Sequence, residues 1–145
     1  MAHDSVLDAL SHFLHSHSSR PPISEADQQF LIRFREMVEQ HLGEPEFTTA
    51  SAAALIGMSR MHLNRKLRAL TRQSTHEYIR RVRLEGARAL LSQPLPVAFI
   101  AHCFGFKSMS NFAKAFRHEF GTSPSIFRAK QNLAREPKIQ KPGEE

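Results

Sequence analysis

The chain repeats itself. Ala53 and Gly57 recur as Ala101 and Gly105 at an offset of 48, and after one inserted residue Ser59, Leu63, Leu67, Ser74 and Tyr78 recur as Ser108, Phe112, Phe116, Ser123 and Phe127 at an offset of 49. A repeat of this length constrains the fold more than composition does, because each copy is one supersecondary unit that must bury its own apolar face. With only two copies the pattern argues for a duplicated small module and not for a solenoid.

Within each copy the punctuation is that of two short helices and a turn. The run TTASAAALI, Thr48 to Ile56, offers a threonine cap and then small side chains that let neighbouring backbones approach closely. Gly57 stops that helix and Ser59 caps the next. There Leu63, Leu67 and Leu70 form an apolar stripe, while Arg60, Met61, Asn64, Arg65 and Arg68 share the opposite face. The spacing predicts a helix-turn-helix over about 48–70.

The second copy, about 97–120, has Val97 to Phe104, a stop at Gly105, and a helix from Ser108 to Phe120. Phe112, Phe116 and Phe120 recur every four residues there, with Lys107, Ser110 and Asn111 just before them and Lys114, Arg117 and His118 between them. Such aromatics read as core, since stacking on bases would need them on the same side as the polar residues.

Between the copies, Thr75 to Ser92 reads as one helix of about 27 Å at ~1.5 Å per residue, ended by Pro94 and Pro96. Two helices entering successive major grooves must stand about one turn, ~34 Å, apart, and this rod with its flanking turns can span that. A first helix starts at a Ser24 cap, carries Phe30, Phe34, Met37, Val38 and His41 at helical spacing, and stops at Gly43 and Pro45. Ser123-Pro124 opens a last helix that fades after Lys130. The expected fold class is therefore all-α, two helix-turn-helix subdomains joined by a long linker helix, about seven helices over 23–131. Residues 1–22, rich in His and Ser, are expected to be a flexible extension with a short helix around Val6 to Leu14, and 132–145 a disordered tail.

Charge is distributed unevenly. The chain has a net charge of +6, yet residues 1–47 hold three basic side chains against eight acidic, whereas residues 48–130 hold fourteen against three, namely Glu77, Glu85 and Glu119. Concentration on the repeated segment is the footprint of a nucleic-acid binder. A sequence-specific regulator and an architectural protein coating DNA through charge alone both fit this pattern.

Other classes fare worse. A lone Cys103 forms no internal disulfide and suits a reducing cytoplasm, and no apolar run approaches the ~18 residues of a membrane span. His12, His15 and His17 lack a nearby Cys or carboxylate to complete a metal site. A metalloenzyme built on His102, Cys103 and His118 is disfavoured because adjacent residues point about 100° apart on a helix and no acid stands beside them. No enzyme, metal or cofactor is expected, and the location is read as cytoplasmic, on the nucleoid.

The pattern resembles the DNA-binding domain of the AraC/XylS family of bacterial transcription regulators over roughly residues 26–130. The likeness is carried by Ala53, Gly57, MSRMHLNRKLRAL (Met58 to Leu70), YIRRVRLEGARALL (Tyr78 to Leu91), Ala101, GFKSMSNFAKAF (Gly105 to Phe116), Phe120-Gly121 and SPSIFR (Ser123 to Arg128). The first half also resembles the version at the end of hybrid two-component regulators. The resemblance implies seven helices, a largely asymmetric double-stranded DNA site, and activation through contact with RNA polymerase. The family's base-reading positions fall on Met61, Asn64 and Arg65 in one half and on Ser110, Asn111 and Lys114 in the other. Phosphate contacts are expected from Thr49, Ser59, Arg60, Arg68, Arg81, Lys107, Ser108 and Arg117.

Three departures stand out. Arg72 occupies a turn where the family favours Gly, so that turn either avoids the left-handed conformation or is strained. Phe127 stands where Tyr is usual. Ser110 and Lys114 are smaller than the side chains often found there, which shifts the second module towards gripping phosphate. Most members carry a separate effector domain, for which 145 residues leave no room, so the chain is expected to be a free-standing regulator or the DNA-binding part of a longer protein with an upstream sensor.

Overall fold

In a computed structural model the described residues, 22 to 135, form seven helices and no strand. They are α1 (Glu25–Gln40), α2 (Thr49–Ile56), α3 (Arg60–Thr71), α4 (Thr75–Leu90), α5 (Val97–Cys103), α6 (Met109–Phe120) and α7 (Pro124–Arg135). The expected helix at Val6 to Leu14, the triple-histidine segment and the tail beyond 135 lie outside the described residues. Residues 132–135, read from sequence as the start of an unstructured tail, continue α7 as helix.

The chain divides into two compact units, residues 1–31 and 32–145. In the first, Ser24 opens α1 by accepting the Asp27 N–H on its hydroxyl at 3.2 Å. The second holds the remainder of α1 and both modules.

The duplication extends to individual hydrogen bonds. Gly57 donates to Ala54 O and Met58 to Ala53 O; 48 residues on, Gly105 donates to His102 O and Phe106 to Ala101 O. Leu63 to Ser59 O, Arg72 to Arg68 O and Tyr78 to Ser74 O recur 49 residues on as Phe112 to Ser108 O, Gly121 to Arg117 O and Phe127 to Ser123 O. Both α3 and α6 have 12 residues. Each is N-capped by a serine, with Ser59 Oγ accepting His62 N–H and Ser108 Oγ accepting Asn111 N–H, both at 3.1 Å.

The C-terminal ends differ in one respect. Gly121 ends α6 at φ 74°, where glycine adopts the left-handed conformation without a steric penalty, but Arg72 ends α3 at φ 62°. Of the two alternatives for that turn, strain is the one observed.

Burial follows the repeated stripes. Leu63 and Leu67 in the first module and Phe112 and Phe116 in the second are fully buried, while Leu70 is only partly so. Phe106, Phe112, Phe116, Phe120 and Phe127 form a continuous aromatic cluster with ring centroids 4.7 to 5.7 Å apart in tilted or edge contacts. Phe127 meets Phe116 edge-on, so the ring is retained where the hydroxyl is missing.

The linker helix α4 spans 16 residues, about 24 Å at ~1.5 Å per residue, shorter than expected because Leu91 already serves as its cap. Ser74 and Glu77 form a reciprocal capping box at its start. At its end, Arg128 Nε donates to Leu91 O at 3.1 Å and Arg135 Nη1 to Ser92 O at 3.3 Å, supplying donors to carbonyls that the helix leaves unpaired. The C-terminal end of the rod is thereby fastened to α7.

Candidate nucleic-acid interface

On α3 the buried leucines leave Arg60, Met61, His62, Arg65 and Arg68 exposed, and Met61 retains 72% of its free surface. On α6 the buried phenylalanines likewise leave Met109, Ser110, Asn111, Lys114, Arg117 and His118 exposed. In both helices the apolar stripe and its 3.6-residue period orient the polar side chains outward. Ser59 and Ser108 are exposed too; each hydroxyl oxygen accepts the cap bond and keeps its own proton free to donate outward.

Asn64 behaves differently. Its Oδ1 accepts the Thr75 N–H at 2.8 Å and faces the Thr75 hydroxyl at 3.3 Å, and the residue is half-buried. A bidentate contact with adenine uses both ends of an asparagine amide, and one end of this one is already engaged inside the protein.

Acidic groups are held off both outward faces. Glu77 belongs to the α4 capping box, and the other two carboxylates of the basic segment, Glu85 and Glu119, pair with Arg81 at 3.2 and 3.5 Å. Glu85 also binds Arg35 at 3.0 Å, a contact that together with Glu39 raises the Arg35 pKa above its ordinary value. Among the described residues no carboxylate pairs with Arg60, Arg65, Arg68, Lys107, Lys114 or Arg117. Positive charge on these faces is therefore uncompensated locally, whereas that of Arg81 is matched.

Among the described residues, depressions lie at and beside these faces. One of about 440 Å³ lies on α6 and is lined by Ser110, Lys114, Arg117, His118 and Ser123. Another, about 250 Å³, is a cleft where the start of α2, the middle of α4 and the turn before α6 converge; Thr49, His76, Arg80, Arg83, Lys107 and Asn111 contribute to its walls. Neither has an acidic residue in its lining.

The cleft contains two arginines that sequence reasoning missed, Arg80 and Arg83, together with His76, and omits Arg81, which it had chosen. A signal was present. His76, Arg80 and Arg83 recur at i, i+4, i+7 on one helix face, while Arg81 sits four residues before Glu85, the spacing of an intrahelical ion pair. Among the described residues no three His, Cys, Asp or Glu side chains come together as a metal site, and no helix is long and apolar enough to cross a membrane.

A family model described as a helix-turn-helix domain matches residues 52–130. Regulatory protein SoxS of Salmonella typhimurium is 33% identical over 102 residues, covering 70% of this chain and 94% of SoxS. The chain belongs to the AraC/XylS family. Transcriptional activator NphR of a Rhodococcus species is 36% identical to this AraC/XylS protein over 99 residues, covering 68% of the chain and 29% of NphR. Histidine kinase P4 of Formosa agariphila is 31% identical over 114 residues, 78% of the chain but only 8% of the kinase. The chain thus spans less than a third of the length of these two longer relatives. Among solved structures, the DNA-binding domain of AdpA in complex with a target DNA superimposes with a TM-score of 0.67 at 29% identity, covering 72% of this chain and 95% of that one.

Proposed function

We propose that this AraC/XylS domain binds double-stranded DNA sequence-specifically, with α3 and α6 each entering a major groove one duplex turn from the other, and that it activates transcription by contacting RNA polymerase. The observation that carries the reading is the duplicated reading helix: two 12-residue helices, serine-capped alike, each seated on a buried stripe and presenting an outward cationic face from which carboxylates are withdrawn. Buried apolar anchoring with an exposed polar face is what a recognition helix requires.

The chemistry assigns roles. Arg65 and Lys114 are donors matched to the guanine O6/N7 edge, Asn111 to adenine, Met61 to a thymine methyl, and Ser110 to either partner type. Asn64 contributes less to base reading than its sequence position implies, because its carbonyl is bonded to Thr75. Arg60, Arg68, Arg117, Lys107, Thr49, Ser59 and Ser108 grip phosphates, and Arg80 takes the role first given to Arg81. The cationic cleft of about 250 Å³ suits the strand that passes between the two grooves. The working location is the bacterial cytoplasm, and an upstream sensor unit is a further partner wherever the domain is carried within a longer chain.

Competition at fixed salt between a selected site and random duplex tests the reading. A sequence reader keeps an affinity ratio of roughly 10³ or more. A ratio near unity identifies an architectural coat, which binds through counterion release alone.

A further inference from the structure

Glycines mark places where the second module approaches the lead-in to the first, and the linker helix, more closely than a side chain permits. A Cβ on Gly43, in the connection leading to α2, would lie 3.2 Å from Cys103 O. One on Gly105, in the turn of the second module, would lie 2.7 Å from Leu42 O and 3.2 Å from Arg83 Nε. One on Gly86 of α4 would overlap the Phe104 ring. The lead-in to the first helix-turn-helix and the turn of the second are therefore in direct backbone contact, alongside α4.

Arg83 stands at the centre of this joint. Its Nη2 donates to Glu44 O at 2.7 Å and to Phe47 O at 3.2 Å, on the segment that enters α2. Its Nε is buried against Gly105 without a hydrogen-bond partner, and burial lowers the pKa of the guanidinium. A buried cationic donor left unpaired is unfavourable in itself, so the site is held by what surrounds it. One guanidinium from the linker helix thus touches both the lead-in to the first module and the turn of the second.

We propose that Arg83 is a specificity-positioning residue: by joining α4 to the 44–47 segment and to Gly105 it locks the two modules in one orientation, and so restricts the domain to half-sites at a single spacing. The inference rests on the DNA-binding reading above. Inserting one base pair between half-sites moves the second by about 3.4 Å and turns it by about 34 to 36° around the duplex. A protein that follows that turn must rotate one module against the other. Here the rotation would drive Gly105 into the Leu42 carbonyl and pull Arg83 from two carbonyls, and close-packed contacts of this kind do not deform gradually.

The test uses the full chain and duplexes in which both selected half-sites are kept and their separation is varied by one and two base pairs either way. The wild-type protein is expected to prefer one spacing by about tenfold or more over its neighbours, a difference of about 1.4 kcal/mol. Arg83→Met is expected to keep the base preferences within each half-site while its spacing preference falls to about threefold or less. Arg83→Lys, which retains the charge and can hold one carbonyl, is expected to fall between them, and it decides the matter should Arg83→Met not fold. A merely structural role lowers affinity at every spacing alike. The proposal is overturned if a folded Arg83 variant keeps the wild-type spacing profile, or if the wild-type protein reads both half-sites at any separation. Wild-type enrichment of only one half-site, or of none, overturns it together with the two-helix reading and is told apart by the absence of a second motif.

Discussion

The side-chain oxygen of Asn64 accepts the backbone N–H of Thr75 at 2.8 Å, so the first reading helix supplies a cap to the first turn of the linker helix. Thr75 is fully buried, so the bond to Asn64 satisfies a donor that the fold shields from water. Asn64→Ala is expected to lower stability by about 1 to 3 kcal/mol, the usual cost of an unsatisfied buried donor. Its DNA affinity is expected to fall by a similar factor on every single-base variant of a selected site. Thermal melting and binding to a panel of such variants check both; a loss confined to one base position would return Asn64 to the base-reading set.

Arg65, Arg80 and Arg81 are separable by salt. Arg65→Ala should cost about 1 to 3 kcal/mol at the cognate site and relax preference at one position. Arg80→Ala should weaken binding on all sequences and reduce the slope of log affinity against log salt by about 1. Arg81→Ala should leave that slope unchanged, since Glu85 and Glu119 already neutralise its charge. Titrations at several salt concentrations give all three; a reduced slope for Arg81→Ala contradicts the assignment.

Arg72 holds φ 62°, a conformation that costs an L-residue about 1 to 2 kcal/mol. Arg72→Gly removes that penalty and adds about 0.4 to 1 kcal/mol of unfolded-state entropy, so a net gain of roughly 0.5 to 1 kcal/mol is expected. The melting temperature should rise by about 2 to 6 °C. A variant that melts lower than the parent would show that the Arg72 side chain contributes more than its backbone strain costs.

The chain has one tyrosine, and burial pushes the Tyr78 phenol above its ordinary pKa of 10.0 against the opposing pull of Arg35. The neutral phenol is the form the fold favours. Its contribution to stability is thus complete below the unfolded pKa, about 10, and is lost as pH rises through the folded value. Tyrosinate absorbance should titrate at higher pH in the native protein than in denaturant. Coincident midpoints would mean that the ring is solvated.

The helices, their serine caps and their buried stripes were legible because each depends on neighbours three or four residues away. Phe112 and Phe116 repeat every four residues and are buried; Ser59 and Ser108 precede their helices and cap them. Roles that depend on distant partners were not legible. Nothing local links Asn64 to Thr75 across a turn, or Arg81 to Glu119 on another helix. Arg80 and Arg81 are adjacent and identical in chemistry; the four-residue spacing of Arg81 and Glu85 hints at which one is paired, but the cleft that receives Arg80 and the Glu119 carboxylate that meets Arg81 come from other elements. The Arg83 joint was equally hidden, because its acceptors are backbone carbonyls, which carry no sequence signature.

Selection of bound sequences from a random duplex pool bears most directly on the claim that two helices of one chain read DNA. The account predicts two enriched motifs of unlike sequence whose centres stand about one helical turn, 10 to 10.5 base pairs, apart. A pool that emerges with a single short motif, or with no enrichment while binding remains tight at low salt, contradicts it.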